Sequence, residues 1–342
     1  MDVRLSAILA MTLCCLAVGA SAHNKTDLVN LRNGDRLTGE IESLALGRLS
    51  LATEALGTVS IEWKEVASIG SDYAYELRLT DGARYLGRIG PGANVGSVVV
   101  VGSFGTRTFD WQDIVEMRAV EDSLLDRIDV YLSANYSFTK ASGVTQTELR
   151  ANVSYEDEKS LNSLTSRATV SDTEEQATAS SRVVLTRLDW SNREDWFRSV
   201  FAGYESNDEL ALDHRLSIGA GFGRYFWDSN SGYLSGSLAL QALEERSVGG
   251  EDQSSVEAVI SAGYARWRFD TPELDLRLDG SIYPSLTQSG RVRADGNATL
   301  RWELIRDFYW DLSLWGTYDN AAVDESAGQF DWGVTTGVGW SL

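Results

Sequence analysis

The chain has two histidines in 342 residues, and neither stands where it could drive a reaction. A hydroxyl nucleophile needs an adjacent base, and on a strand the side chains two positions apart share a face. The residues two away from His214 are Leu212 and Leu216, so no serine–histidine pair forms there. His23 lies beside a leader-like segment, with no ligand set around it. Both cysteines, Cys14 and Cys15, fall inside that segment, which leaves the rest of the chain without a thiol or a disulfide. No CxxC, HExxH, Walker or dinucleotide motif occurs. Gly219-Ala220-Gly221-Phe222-Gly223 reads as room for strand curvature or for a bulky neighbour, not as a phosphate cradle. No catalytic residue, cofactor or resident metal is therefore expected, and the chain is read as a non-enzyme.

Charge is the property with functional reach. The formal net charge is -20, which makes nucleic acid an unfavourable partner. Residues 127–342 hold 19 Lys and Arg against 33 Asp and Glu. Many of the acids lie in polar stretches between alternating runs, Glu251, Asp252, Asp324 and Glu325 among them. They are read as solvated loop charges that keep the loops soluble. The alternative is binding of divalent cations shared with lipopolysaccharide phosphates, because hard cations prefer clustered carboxylates. An acid and base at a rim, as in omptin-like proteases, is the remaining hydrolytic arrangement, but no acid here is distinguishable from a loop charge.

The elements that carry these residues are strands. Met1 to Ala22 has Arg4, an apolar run from Leu5 to Val18 and Ala20-Ser21-Ala22, the pattern of a secretory signal peptide. From residue 127 onward, segments of about a dozen alternating residues recur, each ended by Asp, Asn, Ser, Gly or Pro. Strands are expected at 127–139, 143–155, 159–170, 175–189, 195–206, 210–226, 233–245, 254–269, 273–285, 291–305, 307–319 and 329–342. In the last, Phe330, Trp332, Val334, Thr336, Val338, Trp340 and Leu342 share one face. Two-sided alternation over an even number of strands suggests a transmembrane antiparallel β-barrel of about 12 strands. Trp190, Trp196, Trp227, Trp267, Trp302, Trp310 and Trp340 fall near one end of these strands, as an interfacial aromatic belt would. Asp275, Arg277, Asp279, Arg291, Arg293, Asp295, Arg301 and Glu303 mix signs on what is expected to be the inner face, which suggests paired charges in a narrow lumen.

Ahead of the barrel stands a gapless repeat with a period of 48 residues. Asn33-Gly34 matches Asp81-Gly82, Gly39 matches Gly87, Gly57-Thr58 matches Gly105-Thr106, and Trp63 matches Trp111. The Asn-Gly and Asp-Gly dipeptides between alternating runs mark tight hairpins. This pattern resembles tandem small SH3-like or Sm-like β-barrels. The expected organisation is a signal peptide at 1–22, repeat 1 at 23–72, repeat 2 at 73–122 and the barrel at 127–342.

Thr335-x-Gly337-x-x-Trp340-x-Leu342 resembles the C-terminal signal of bacterial outer-membrane proteins, with Leu342 in place of the usual Phe. That resemblance implies recognition by the barrel-assembly machinery. Together with the signal peptide, the barrel of about 215 residues and the opening alternation Ile128 to Phe138, it makes the chain similar to the salt-induced outer-membrane protein family, whose biochemical role is undefined. The resemblance implies a bacterial outer-membrane location, with lipid and lipopolysaccharide as surroundings and the repeats in the periplasm; it transfers no catalytic residue. The expected function is a narrow channel or a structural envelope-stress protein. The alternative is a membrane-anchored binding protein whose repeats dock a periplasmic partner, which exposed Trp63 and Trp111 would favour; a barrel-rim hydrolase is the third reading.

Overall fold

The structure, a computed structural model, describes residues 25–340 apart from 103–104, 121–127, 140–143, 157–158, 174–176, 191–194, 209–211, 249, 251 and 322–328. The signal-peptide segment, His23, both cysteines, Glu251, Asp324, Glu325 and Leu342 lie outside the described residues. Two antiparallel sheets, of ten and twelve strands, make up the fold. Among the described residues no helix is long and apolar enough to cross a membrane, which says nothing of a β-barrel.

The first sheet contains β1 (Asp27–Leu31), β2 (Arg36–Ala45), β3 (Arg48–Ala52), β4 (Thr58–Glu62), β5 (Val66–Gly70), β6 (Ala74–Leu79), β7 (Arg84–Pro91), β8 (Ser97–Gly102), β9 (Gly105–Asp110) and β10 (Ile114–Ala119). The 48-residue period reappears in the backbone. Leu28 faces Gly70 in one copy, and Glu76 faces Arg118 in the other. Gly34 and Gly82 both sit in the left-handed region, at φ 94° and 80°, where the tight β1–β2 and β6–β7 turns need a residue without a Cβ. Asn33 and Asp81 brace these turns alike, each accepting a backbone N–H two residues on at 3.0 Å.

The two copies are not separate bodies. β10 pairs with β6 of its own copy and with β2 of the other, so the copies share one sheet. They also share one core, in which Ile41, Leu44, Leu51 and Trp63 pack with Leu77, Ile89, Trp111 and Met117. Trp63 and Trp111 meet edge to face at 4.1 Å, and the Trp63 Nε1–H donates to the Trp111 carbonyl at 2.8 Å.

The second sheet runs in sequence order through β11 (Ile128–Thr139), β12 (Val144–Glu156), β13 (Ser160–Asp172), β14 (Ala177–Trp190), β15 (Trp196–Asn207), β16 (Leu212–Ser229), β17 (Gly232–Ser247), β18 (Asp252–Arg268), β19 (Leu274–Pro284), β20 (Val292–Ile305), β21 (Phe308–Asp319) and β22 (Phe330–Trp340). Each of the twelve expected strands ends within about three residues of an observed one. Among the described residues no ladder joins β11 to β22, so the sheet is not closed. It is nevertheless strongly curved. Arg182 on β14, Arg215 on β16, Arg293 on β20 and Asp331 on β22 line one space.

Register separates the two faces of this sheet. One row runs Leu238, Ile260, Ile282, Ala294, Tyr318, Phe330 across β17 to β22. A parallel row on the same face runs Tyr264, Leu278, Ala298, Leu314, Val334. Leu238, Ile260, Ile282, Leu314 and Val334 are all exposed. On the other face, Asp275, Arg301, Asp311 and Gly337 form one row, and Asp279, Asn297, Trp315 and Gly333 another. Across these strands the charged side chains therefore lie on the concave face, together with large rings such as Trp315, and the exposed aliphatic rows on the convex one.

Candidate functional site

The concave face encloses a cavity of about 500 Å³. Its wall on the β16–β21 side is an ionic network. Arg291 is 3% exposed and donates through Nη1 to Glu245 at 2.5 Å and through Nη2 to Asp319 at 2.9 Å. Glu245 also accepts from Arg215, which reaches Glu205 at 3.3 Å. Alongside, the fully buried Glu257 accepts a forked pair from Arg293, at 3.1 and 2.6 Å, and the Gln241 amide at 2.6 Å. Buried charges survive only when paired and hydrogen-bonded, and the two fully buried carboxylates, Glu245 and Glu257, each have at least two donors.

Glycines let the concave face take large side chains. A Cβ on Gly219 would overlap the Phe201 ring, one on Gly223 the Phe197 ring, and one on Gly333 the Trp315 indole. The Gly219–Gly223 stretch thus makes room against bulky neighbours, as its sequence suggested, and it lies inside β16, paired with β15 on one side and β17 on the other.

At one end of the sheet the concave face carries an aromatic arc. Trp190, Phe197, Tyr225, Tyr233 and Trp267 follow one another at ring-centroid distances between 5.7 and 6.4 Å. Placing Trp190 and Trp267 in an outward belt is thereby corrected. Both share the face of Phe197 and Tyr233, because strand parity, not height along the strand, decides the side. Trp196, Trp227, Trp302 and Trp340 do lie exposed near that end.

The ten-stranded module touches the same end. Arg78 pairs with Asp228, and Lys64 with Asp270. Asn230 Nδ2 donates to the Ile114 carbonyl at 2.7 Å, Arg48 lies 4.1 Å over Phe269, and Arg84 lies 4.9 Å over Trp190. Arg78 is also held by Glu116 at 2.7 Å. Burial pushes the Glu116 carboxyl upward, but Arg78 beside it, helped by Arg118 and Arg84, brings it below the ordinary glutamate value. In the module core, burial and then the neighbouring Asp27 carboxylate raise the Tyr75 phenol well above its usual range.

The remaining expected residues are placed as follows. His214 Nδ1 lies 3.1 Å from Asp213 Oδ2, and among the described residues no hydroxyl bonds to its ring. Asp252 pairs with Arg246 at 3.4 Å. Among the described residues no cluster of three or more His, Cys, Asp or Glu could hold a metal ion. Thr335 and Gly337 lie on the concave face of β22, and Trp340 stacks on Phe308 at 5.9 Å on the convex one. Trp63 and Trp111, whose exposure would have favoured a binding role, are 3% and 4% exposed and belong to the core. The Arg291–Glu245–Asp319 network was beyond sequence reasoning, since its members are 46 and 28 residues apart. The mixed-sign concave ladder was the one available signal.

No curated protein and no solved structure matches the chain. A family profile does, over residues 133–341, most of the twelve-stranded sheet and none of the module. The chain belongs to that family, described as a protein family of unknown function, DUF481.

Proposed function

We propose that the twelve-stranded sheet is an outer-membrane β-barrel, closed by pairing of β11 with β22, that serves as a narrow, non-enzymatic channel or structural envelope protein with the module on its periplasmic side. The observation that carries this reading is the convex face. Exposed Leu238, Ile260, Ile282, Leu314 and Val334 belong to rows of apolar side chains running strand to strand, and contiguous exposed apolar surface of this kind marks a site of protein or membrane contact. In water such a surface aggregates; in a bilayer it is solvated. Hydrocarbon also forbids unpaired strand edges, because each unsatisfied N–H or C=O costs several kcal/mol there. The exposed β11 and β22 are the two edges that closure would satisfy. Twelve strands give a lumen between the filled eight-stranded barrels and open porins, and paired charges of both signs narrow it further. Lipid and lipopolysaccharide are then the surroundings, and the barrel-assembly machinery is the partner that inserts the strands.

Flotation with phospholipid vesicles tests the reading. The refolded protein is expected to rise with the lipid and to stay there through a urea wash. Recovery in the soluble fraction would contradict it.

A further inference from the structure

Five turns join the strands of the large sheet at the end where β11 begins, and the module is seated on the middle three. Arg84 lies over Trp190 at the β14–β15 turn, Arg78 and Ile114 hold Asp228 and Asn230 at the β16–β17 turn, and Arg48 and Lys64 hold Phe269 and Asp270 at the β18–β19 turn. In a barrel closed between β11 and β22 these turns stand opposite the seam. The module is also tied to the seam, since only residues 121–127 separate Val120 from Ile128, a link of at most about 28 Å. A ring of twelve strands is about 24 Å across. A folded unit of the module's length is about 30 Å wide. A body of that width, tethered at one side of the mouth and seated on the other, lies across it.

We propose that the module is a docked cap over the inner mouth of the lumen, clamped to its aromatic arc and turns by Arg78, Arg84 and Arg48, and that its release opens the mouth. The inference rests on the barrel reading and adds regulation to it. The joint is built to come apart. Among the described residues it is made mainly of ion pairs, cation–π contacts and an amide–carbonyl hydrogen bond, with Gly47 packed closely against Asn230, Trp267 and Phe269, while the module's apolar core contains module residues alone. Contacts of this polar kind are typical of interfaces that open without unfolding either side.

The test uses Ser235, which stands on the concave face beside Tyr225 and Gly263, beneath the arc. In the full chain with Cys14 and Cys15 changed to serine, Ser235→Cys is reacted with a membrane-impermeant maleimide added to vesicles that carry the module on their outer side. Labelling is expected to be slow in this chain and in its Asp228→Glu version. It is expected to be at least about tenfold faster with Asp228→Arg or, from the module's side, Arg78→Glu, each of which sets like charges together at the joint. Flotation of every version checks insertion. Inserted protein that labels at one rate in all versions refutes the cap and leaves the barrel standing; failure to insert refutes the barrel reading, and the cap with it.

Discussion

In the ten-stranded module the largest fully buried side chains are apolar or aromatic, Tyr75, Ile41, Leu44, Leu77 and Met117 among them; in the twelve-stranded sheet they are Glu245, Glu257 and Glu303. Both sheets are built from the same two-residue alternation. The module turns its apolar set inward around one core, as a domain in water must. The large sheet turns its apolar set outward and fills its concavity with charge, which costs free energy unless something other than water covers the convex side. Alternation therefore identifies strands without saying which face is wet. The size of the apolar surface left outside decides that.

Substitutions that attack each interior should break the contrast most sharply. Replacing Arg291 by alanine leaves Glu245 with one fewer charged partner in a nearly dry site, and removing one side of a buried pair typically costs about 3–5 kcal/mol. The expected result is a lower unfolding midpoint of the lipid-inserted protein with the module transition unmoved. Trp63→Ala should do the reverse at similar size, about 3–5 kcal/mol from a cavity between the two repeat copies. Tryptophan fluorescence and protease resistance of the module would read that loss.

The exteriors come next. Leu238→Arg puts a charge on the convex face and should destabilise the inserted protein by about 2–4 kcal/mol at mid-membrane depth. The same substitution on the module surface, Leu86→Arg, should change little, because that half-exposed side chain faces water. Denaturant titration in vesicles measures both.

How much of this was legible in the sequence depends on distance along the chain. The strands from Ile128 to Trp340 were readable because alternation and turn residues are local. So were the Asn33-Gly34 and Asp81-Gly82 hairpins, whose positive φ needs glycine. The interlocking of β10 with β2 was not, since it joins residues more than 70 positions apart through backbone groups that carry no sequence signature. Trp190 and Trp267 were misassigned to the belt because proximity to a turn gives height, whereas parity gives face. The Arg78–Asp228 joint, 150 residues apart, left no pattern to find.

The smallest expected effect concerns pH. The Glu116 carboxyl titrates below its ordinary value of 4.5 in the folded module, so its ion pair with Arg78 stabilises the fold fully above that value. The contribution is lost as pH falls through the depressed folded value. Glu116→Gln should lower the module's melting temperature at neutral pH and flatten the acid limb of its stability profile, so that variant and parent converge toward acid pH, a difference that thermal melts between pH 3 and 7 would show (roughly the carboxylate titration range).

The central claim is that the convex face of the large sheet meets lipid hydrocarbon. Fluorescent labels placed one at a time along residues 237–242 of β17, in vesicles containing brominated lipid, test it most directly. Alternating quenching is predicted, strong at Leu238, Leu240 and Ala242 and weak at Ser237, Ala239 and Gln241. Uniform quenching, or none at any position, would contradict the account.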